Sequence, residues 1–317
     1  MNQIVLDHII DNFIRLRGAE LGIKSRENLN YERAKRKSPS APLVVGISGP
    51  QGSGKTTLTA NVLNQIIERK KTNIILTVIF PVLNIQLIRL LETTYNLKAI
   101  CFSLDDFYYS FTDQQKIRHE NPNNPLLEYR GNPGTHDIPL LLNFFERVAS
   151  KQRIVTASHE GDGNEETFKT LKIPRFDKSL RGGRGDRCNI AEWNTATLPV
   201  DVILFEGWCL GFQAVLDSSR VERIINNASS IFENTSDHVF DPNLVTLDNL
   251  MQVQANLADF QNVVYKFIDV FVHIFVEDIT VVYDWRIEQE ESMRTKAGDF
   301  SVGLSVKQVE KSVFGYF

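Results

Sequence analysis

The stretch GPQGSGKTT carries the residue types that grip a phosphate. It matches the pattern GxxxxGK[ST], in which glycines let successive backbone N–H groups turn inward towards phosphate oxygens. In this pattern Lys55 reaches the β and γ phosphates, and the hydroxyl of Thr56 binds Mg²⁺. The predicted nucleotide-binding residues are Gly49, Pro50, Gln51, Gly52, Ser53, Gly54, Lys55, Thr56 and Thr57. The sequence therefore predicts ATP and Mg²⁺ as ligands.

A carboxylate follows a second apolar run. Residues 202–205, VILF, are typical of a buried strand and lead directly into Glu206. In phosphate-binding proteins of this kind, an acid at the end of such a strand reaches the metal directly or through water. We therefore predict that Thr56 and Glu206 hold the magnesium ion.

Two adjacent carboxylates end another apolar run, in the stretch SLDDFY. A carboxylate at a strand end near a bound phosphate can take the proton from a substrate hydroxyl, which is worth about 10²–10⁴ in rate. This favours Asp105 as a general base, with Asp106 and Tyr108 beside the substrate. The alternative is that Asp105 or Asp106 merely caps the helix that follows.

Two glycine-containing stretches carry cations. In YRGNPGTHD the turn residues fix a rigid loop, which we expect to expose Arg130 and His136, while Asp137 caps the next helix. In IPRFDKSLRGGRGDR, Asp177 and Lys178 precede a run of arginines among glycines. This run is read as a flexible lid over the transferring phosphoryl group. A solvated charge run and an RNA-binding tract are the alternatives.

The surrounding pattern predicts an α/β protein with the P-loop NTPase fold, a mainly parallel sheet with helices on both faces. Apolar runs predict strands at 43–49, 99–104, 200–205 and 270–276, and helical periodicity predicts helices at 138–150, 246–267 and 279–290. Residues 1–40 are predicted to form a helical extension, ending its helix at Gly18, and a linker. Residues 41–317 form the main domain, with a mobile lid around 175–197 and an excursion around 214–260.

Composition excludes several classes. The 317 residues carry a net charge of −4, which argues against a nucleic-acid partner, and the three scattered cysteines fit a reducing compartment. The start lacks the features of a signal peptide, so we expect a cytoplasmic protein; the basic cluster at 33–37 leaves the nucleus open. Residues 74–91 are the most apolar window, but Pro81 and polar residues favour a buried segment over a membrane span.

The motifs GPQGSGKTT, SLDDFY, RGNPGTHD, PRFDKS, GRGDRC, ILFEGWCLGF and YDWRIEQE occur here in one order. Over roughly residues 41–314 the chain resembles the fungal ATP-dependent kinases related to plant D-glycerate 3-kinase. That group is similar to pantothenate kinase, uridine kinase and phosphoribulokinase. The segment 72–92 is longer and more apolar than this resemblance leads one to expect, and the chain stops where relatives continue into a tyrosine-rich tail.

The resemblance implies roles for particular residues. It implies that Asp105 is the catalytic base, acting with Lys55, and that Arg286 lies near the phosphates. It implies a small-molecule acceptor, D-glycerate above all, and no obligate protein partner. The substrate-binding residues it implies are Asp106, Tyr108, Arg130, His136, Asp177 and Lys178. Pantothenate or a nucleoside stays open as the acceptor, and so does a nucleotide-dependent binding protein with slow ATPase activity.

Overall fold

A computed structural model describes residues 2–26, 29, 41–49, 80–157, 170–232 and 245–273, with positions 287, 290, 291, 294, 295 and 298. Four parallel strands form its central sheet in the order β2-β7-β1-β8. The bounds are β1 Leu43–Ser48, β2 Ala99–Ser103, β7 Val202–Gly207 and β8 Val270–His273. The predicted mainly parallel sheet is confirmed.

The register of the sheet brings its functional residues to one edge. Ser48 at the end of β1 is paired with Gly207 of β7, and Ser103 at the end of β2 is paired with Glu206. Each strand thus finishes at the same level. Ligands of open α/β sheets bind outside the carboxyl ends of the strands. This edge is therefore where chemistry is expected.

Helices cover both faces of the sheet, because each strand of a buried parallel sheet is apolar on both sides. One face is covered by α1, Asn2–Leu21, and α2, Phe80–Tyr95. The other is covered by α4, Ile138–Ala157, and α6, Leu247–Val264, which packs there through Leu257, Phe260 and Val264. Two further helices are α3, Phe111–Glu120, and α5, Ser218–Phe232.

Helix α1 is packed into the main core. Its buried apolar residues are Val5, Leu6, Ile9, Ile10 and Phe13. The prediction that this helix ends at Gly18 was wrong, since it continues to Leu21 and ends at Gly22, whose φ is +72°. Gly18 serves a different purpose: a Cβ there would overlap the carbonyl oxygen of Ile23, whose own N–H donates to the Gly18 carbonyl at 2.8 Å.

The apolar segment that includes Pro81 contributes helix α2. This helix begins at Phe80, so Pro81 lies in its first turn, where the missing N–H costs no hydrogen bond. Residues 74–79 lie outside the described residues. Among the helices that the structure describes, none is long and apolar enough to span a membrane.

Two small antiparallel ribbons flank the sheet. Strands β3, Thr170–Ile173, and β6, Asn194–Thr197, form one, and β4, Phe176–Asp177, and β5, Asp186–Arg187, form the other. The segment 175–197, predicted as a mobile lid, therefore contains regular hydrogen-bonded structure. Within the segment predicted as an excursion, 214–260, helix α6 packs into the core through Leu257 and Phe260.

Candidate active site

The strand order aligns three predicted groups along the edge of the sheet. Gly49 follows β1, Glu206 lies one residue before the end of the neighbouring strand β7, and Asp105 follows β2 on the far side of β7. Since neighbouring strands lie about 4.8 Å apart, the ends of β1 and β2 are separated by roughly 10 Å. The strand that carries Glu206, the predicted metal ligand, thus lies between the start of the phosphate-binding motif and the predicted base.

The two carboxylates of SLDDFY have separate environments. They lie in a 3-10 turn, Leu104–Phe107, that Ser103 caps. Asp106 Oδ2 accepts a hydrogen bond from the Ser103 N–H at 3.1 Å, so this carboxylate serves as a cap. Asp105 is buried and its side chain has no part in the cap. The capping alternative therefore applies to Asp106, while Asp105 is oriented for another purpose.

Asp105 is paired with a lysine from the β4–β5 hairpin. Lys178 Nζ lies 2.6 Å from Asp105 Oδ2, with side-chain exposures of 21% and 5%. The neighbouring Asp177 points elsewhere: its Oδ1 accepts from the N–H and hydroxyl of Ser179, at 2.9 and 2.6 Å. The structure thus brings Lys178 to Asp105 and leaves Asp177 shaping the turn.

Tyr108 and His136 lie behind the base as a buried stack. Their ring centroids are 4.5 Å apart, and their backbones form an isolated β-bridge. Only 3% of His136 is exposed, so the prediction that the loop exposes it was wrong. Burial and then the nearby Asp105 carboxylate raise the pKa of Tyr108 well above its usual value. Both rings are therefore packed behind the turn that carries Asp105 rather than lining an open surface.

The loop 129–137 is held rigid by its own hydrogen bonds and by β7. Thr135 Oγ1 accepts from the Gly131 N–H at 3.0 Å and donates to the Asn132 carbonyl at 2.7 Å. Trp208, just after β7, donates from Nε1 to the Gly131 carbonyl at 3.0 Å. Sequence reasoning missed this role of Trp208; its place directly after Glu206 and Gly207 was the available signal.

The β4–β5 hairpin is docked onto this loop and onto α3. Arg187 donates to the Tyr108 carbonyl at 2.8 Å and to Asp137 Oδ2 at 2.9 Å. Asp186 Oδ1 accepts from the Phe111 N–H at 2.9 Å. Arg130 donates to the Gly183 carbonyl at 2.7 Å. The hairpin is therefore tied to the elements that carry Asp105.

The lid arginines contact the protein's own rings and carboxylates. Arg181 lies over the Phe111 ring and donates to Asp186 at 3.0 Å. Arg184 lies over the Tyr129 ring at 4.5 Å. These contacts differ from the predicted orientation towards a phosphoryl group. The cation of this segment that meets the predicted base is Lys178.

Several predicted residues fall outside the described part of the chain. They are Pro50, Gln51, Gly52, Ser53, Gly54, Lys55, Thr56, Thr57 and Arg286. Within the part that is described, no three His, Cys, Asp or Glu side chains converge. Mg²⁺ needs few protein ligands, since it keeps water and substrate phosphates as oxygen donors. The oxygen donor of Glu206, at the end of β7, fits such a sparsely liganded ion.

Two cysteines, Cys101 in β2 and Cys209 just after β7, have raised pKa values and are poor nucleophiles. Burial raises the pKa of Cys209 to about 12, with a further contribution from the Asp105 carboxylate. Burial, followed by Glu206 and Asp106, raises the pKa of Cys101 to about 11. Because a thiolate rather than a thiol is the nucleophile, neither side chain is suited to covalent catalysis.

Known proteins resemble this chain over most of its length. No protein-family model matches the chain. The uncharacterised kinase mug58 of Schizosaccharomyces pombe is 31% identical over 289 residues, which cover 91% of this chain and 83% of the relative. The chloroplastic D-glycerate 3-kinase of Arabidopsis thaliana is 33% identical over 275 residues, 87% of this chain but 46% of that protein.

A solved structure gives the same result. The D-glycerate 3-kinase of Cryptococcus neoformans superposes with a TM-score of 0.67 at 28% identity, covering 100% of this chain and 86% of the other. The parallel sheet, the phosphate-binding motif after β1 and the buried carboxylate after β2 define a P-loop kinase. It is an ATP-dependent phosphotransferase that acts on an alcohol group of a small molecule. The chain belongs to the fungal ATP-dependent kinases related to plant D-glycerate 3-kinase.

Proposed function

We propose that this protein transfers the γ-phosphoryl group of ATP to a hydroxyl of D-glycerate, with Asp105 as the general base. The observation that carries the proposal is the position of Asp105: buried, paired with Lys178, and two strands from the start of the phosphate-binding motif. The names of two relatives, D-glycerate 3-kinases from a plant and a fungus, support the acceptor.

On the donor side, the loop amides and Lys55 bind the phosphates of ATP. Thr56 and Glu206 hold Mg²⁺, which neutralises phosphate charge when it is bound. Arg286 adds positive charge near the phosphoryl group. Catalysis of phosphoryl transfer comes mainly from positioning and electrostatic stabilisation, so these residues contribute by holding charge in place.

On the acceptor side, Arg130 binds the glycerate carboxylate. Its guanidinium lies 5.7 Å from the centre of the Phe176 ring and close enough to Tyr108 to influence the pKa of the hydroxyl. A planar guanidinium fits a carboxylate through paired N–H donors. A bound carboxylate at Arg130 would direct the acceptor hydroxyl towards Asp105, which lies near the buried Tyr108 hydroxyl.

The reaction then proceeds in one displacement. The acceptor hydroxyl gives its proton to Asp105 as its oxygen forms a bond to the γ-phosphorus. The bond between that phosphorus and the bridging oxygen breaks, and its electron pair stays on ADP. Every residue named belongs to a single chain, so the proposal includes no obligate protein partner.

ADP release from Mg·ATP tests the proposal against D-glycerate, L-glycerate, pantothenate, uridine, ribulose 5-phosphate and buffer. Stimulation by D-glycerate, absent from Lys55→Ala, is the expected result. Stimulation by a different acceptor alone would keep the kinase and overturn the substrate. No stimulation by any of them, with ATP still bound, would contradict the proposed reaction.

We also propose a cytoplasmic location. All three cysteines are free thiols, and free thiols persist in reducing compartments. Fluorescence microscopy of the full chain with a C-terminal tag tests this, and fluorescence confined to the nucleus or an organelle would contradict it.

A further inference from the structure

The contact between Lys178 and Asp105 bears on the hydrolysis of ATP that is bound while no acceptor is present. We propose that Lys178 guards the base: it occupies Asp105 until the acceptor arrives and so suppresses hydrolysis of ATP by water. This inference rests on the proposed role of Asp105 as the base. In this proposal Lys178 keeps Asp105 from activating water and allows it to activate the acceptor hydroxyl.

The pair is well suited to block the carboxylate. The 2.6 Å separation is that of a short, charge-assisted hydrogen bond. Asp105 is almost fully buried, so water competes weakly for its oxygens. A water molecule that reaches the γ-phosphate therefore meets a base whose Oδ2 already accepts from an ammonium group.

The backbone around Lys178 is fixed, whereas its side chain is long. Asp177 accepts from Ser179 and closes the turn that presents Lys178. Arg187 fastens the other strand of the hairpin to the Tyr108 carbonyl. A lysine side chain has a flexible four-carbon stem. Lys178 can therefore leave Asp105 by changing side-chain rotamers, with the hairpin staying docked.

An anionic acceptor would draw the Lys178 ammonium away from Asp105. Its carboxylate, bound at Arg130, adds to the negative charge of the γ-phosphate, which by itself leaves the ammonium of Lys178 on Asp105. The ammonium, which has three N–H donors, then turns towards these oxygens, and Asp105 is open to the acceptor hydroxyl. Water brings no such charge. For water, the same proton transfer to Asp105 and the same phosphorus–oxygen bond exchange would yield ADP and phosphate, and the pair prevents it.

ADP release without any acceptor tests the guard directly, so the result does not depend on the identity of the acceptor. Lys178→Met removes the ammonium and keeps the stem length; Lys178→Arg keeps a cation. Lys172→Met is the matched control, because the Lys172 ammonium donates to the Trp193 carbonyl, 3.4 Å away. Thermal unfolding establishes that each variant is folded. If Lys178→Met does not fold, Lys178→Gln takes its place.

We expect Lys178→Met to raise acceptor-free ADP release at least tenfold, which is a part of the factor of about 10²–10⁴ that a general base contributes. Lys172→Met should stay near wild type, and Lys178→Arg, which keeps a cation, should raise the release less than Lys178→Met does. Adding Asp105→Asn to Lys178→Met should abolish the gain. Unchanged or slower hydrolysis in Lys178→Met and Lys178→Gln overturns the guard, and so does a gain that survives Asp105→Asn. Failure of the proposed function is read separately, from the acceptor panel with wild-type protein.

Discussion

The indole Nε1 of Trp208 donates to the carbonyl oxygen of Gly131 at 3.0 Å, which joins the end of β7 to the loop 129–137. The Trp208 carbonyl in turn accepts from Ser48 Oγ at 3.2 Å, at the end of β1. One residue thus links the strand that precedes the phosphate-binding motif to the loop that carries Arg130. The donor and acceptor sides share this support.

Removing the Trp208 donor should loosen the loop. Trp208→Phe leaves the buried Gly131 carbonyl without this partner, so we expect a loss of about 1–3 kcal/mol in the free energy of unfolding and a higher KM for the acceptor. Urea denaturation and acceptor titrations measure both. Trp193→Phe is the control, since Trp193 donates to the Cys188 carbonyl beside the β3–β6 ribbon. Equal effects of the two substitutions on KM would contradict the link.

The two adjacent carboxylates should separate in function. Asp105→Asn is expected to lower kcat by about 10²–10⁴ with ATP still bound, because the amide cannot accept the proton. Asp106→Asn keeps an oxygen that can accept from the Ser103 N–H, and it should lower kcat less than threefold or so. Steady-state kinetics and calorimetric ATP binding measure these effects. Normal turnover in Asp105→Asn would remove that residue from the role of base.

The hydroxyl of Tyr108 should matter more to turnover than to binding. Tyr108→Phe keeps the stack on His136 and removes a buried hydroxyl dipole near the Asp105 carboxylate. Because that dipole acts on the proposed base and not on the bound substrate, we expect kcat to fall roughly tenfold with KM little changed. Tyr109→Phe, in the next position, should be nearly silent. An increase in KM with unchanged kcat would argue that Tyr108 contacts the substrate instead.

The free energy of unfolding should fall at alkaline pH, because buried groups such as the Cys209 thiol ionise less readily in the folded protein than in the unfolded chain. Burial raises the pKa of the Cys209 thiol from 9.0, the value of an accessible thiol, to about 12. Between these values the unfolded chain releases a proton that the folded one keeps, so this contribution is complete below pH 9 and is lost as the pH rises towards 12. The slope is about 1.4 kcal/mol per pH unit for this group.

Urea unfolding of Cys209→Ala from pH 8 to 11 measures that contribution. At pH 8 the free energy of unfolding of the variant should be lower than that of wild type, because the substitution removes buried volume. Above pH 9 it should decline less steeply than that of wild type. Burial also raises the pKa of Tyr108, so part of the alkaline decline persists in the variant. Parallel pH profiles for the two proteins would show that Cys209 is not protected from ionisation.

Helix α1 should contribute to stability through one arginine. Arg17 donates to Asp269 Oδ2 at 2.8 Å and to the carbonyls of Ala41 and Pro42, and Asp269 also accepts from the Val44 N–H. Arg17→Ala is expected to lower the free energy of unfolding by about 1.5–3 kcal/mol. Arg26→Ala breaks exposed pairs with Asp7 and Asp11, which are worth at most about 1 kcal/mol. Equal losses would contradict this ranking.

Much of the fold could be predicted from local pattern. The run at 43–49 corresponds to β1, and the runs at 99–104 and 200–205 correspond to β2 and β7 within two residues. Continuous apolar runs are typical of parallel strands buried on both faces, so both their type and their direction could be read from the sequence. The helix from Ile138 was also predicted, and Asp137 caps it as expected.

Errors arose where a position depended on distant neighbours. Glycine is common at the ends of helices, yet α1 continues past Gly18, and the glycine leaves room for the Ile23 carbonyl. His136 lies in a stretch typical of an exposed loop, yet it stacks on Tyr108, which lies 28 positions earlier and is joined to it by a β-bridge. Neither contact leaves a local signature.

Local sequence was enough to indicate the phosphate-binding motif, the alternation of strands and helices, and a carboxylate after β2, because each depends on residues within a few positions of one another. The groups that surround that carboxylate could be found only from the packing of the folded chain. Lys178 lies 73 positions from Asp105, and Trp208 lies 77 positions from Gly131. Such pairs form because the strand order and the docked hairpin bring side chains together, and that arrangement is a property of the packed chain.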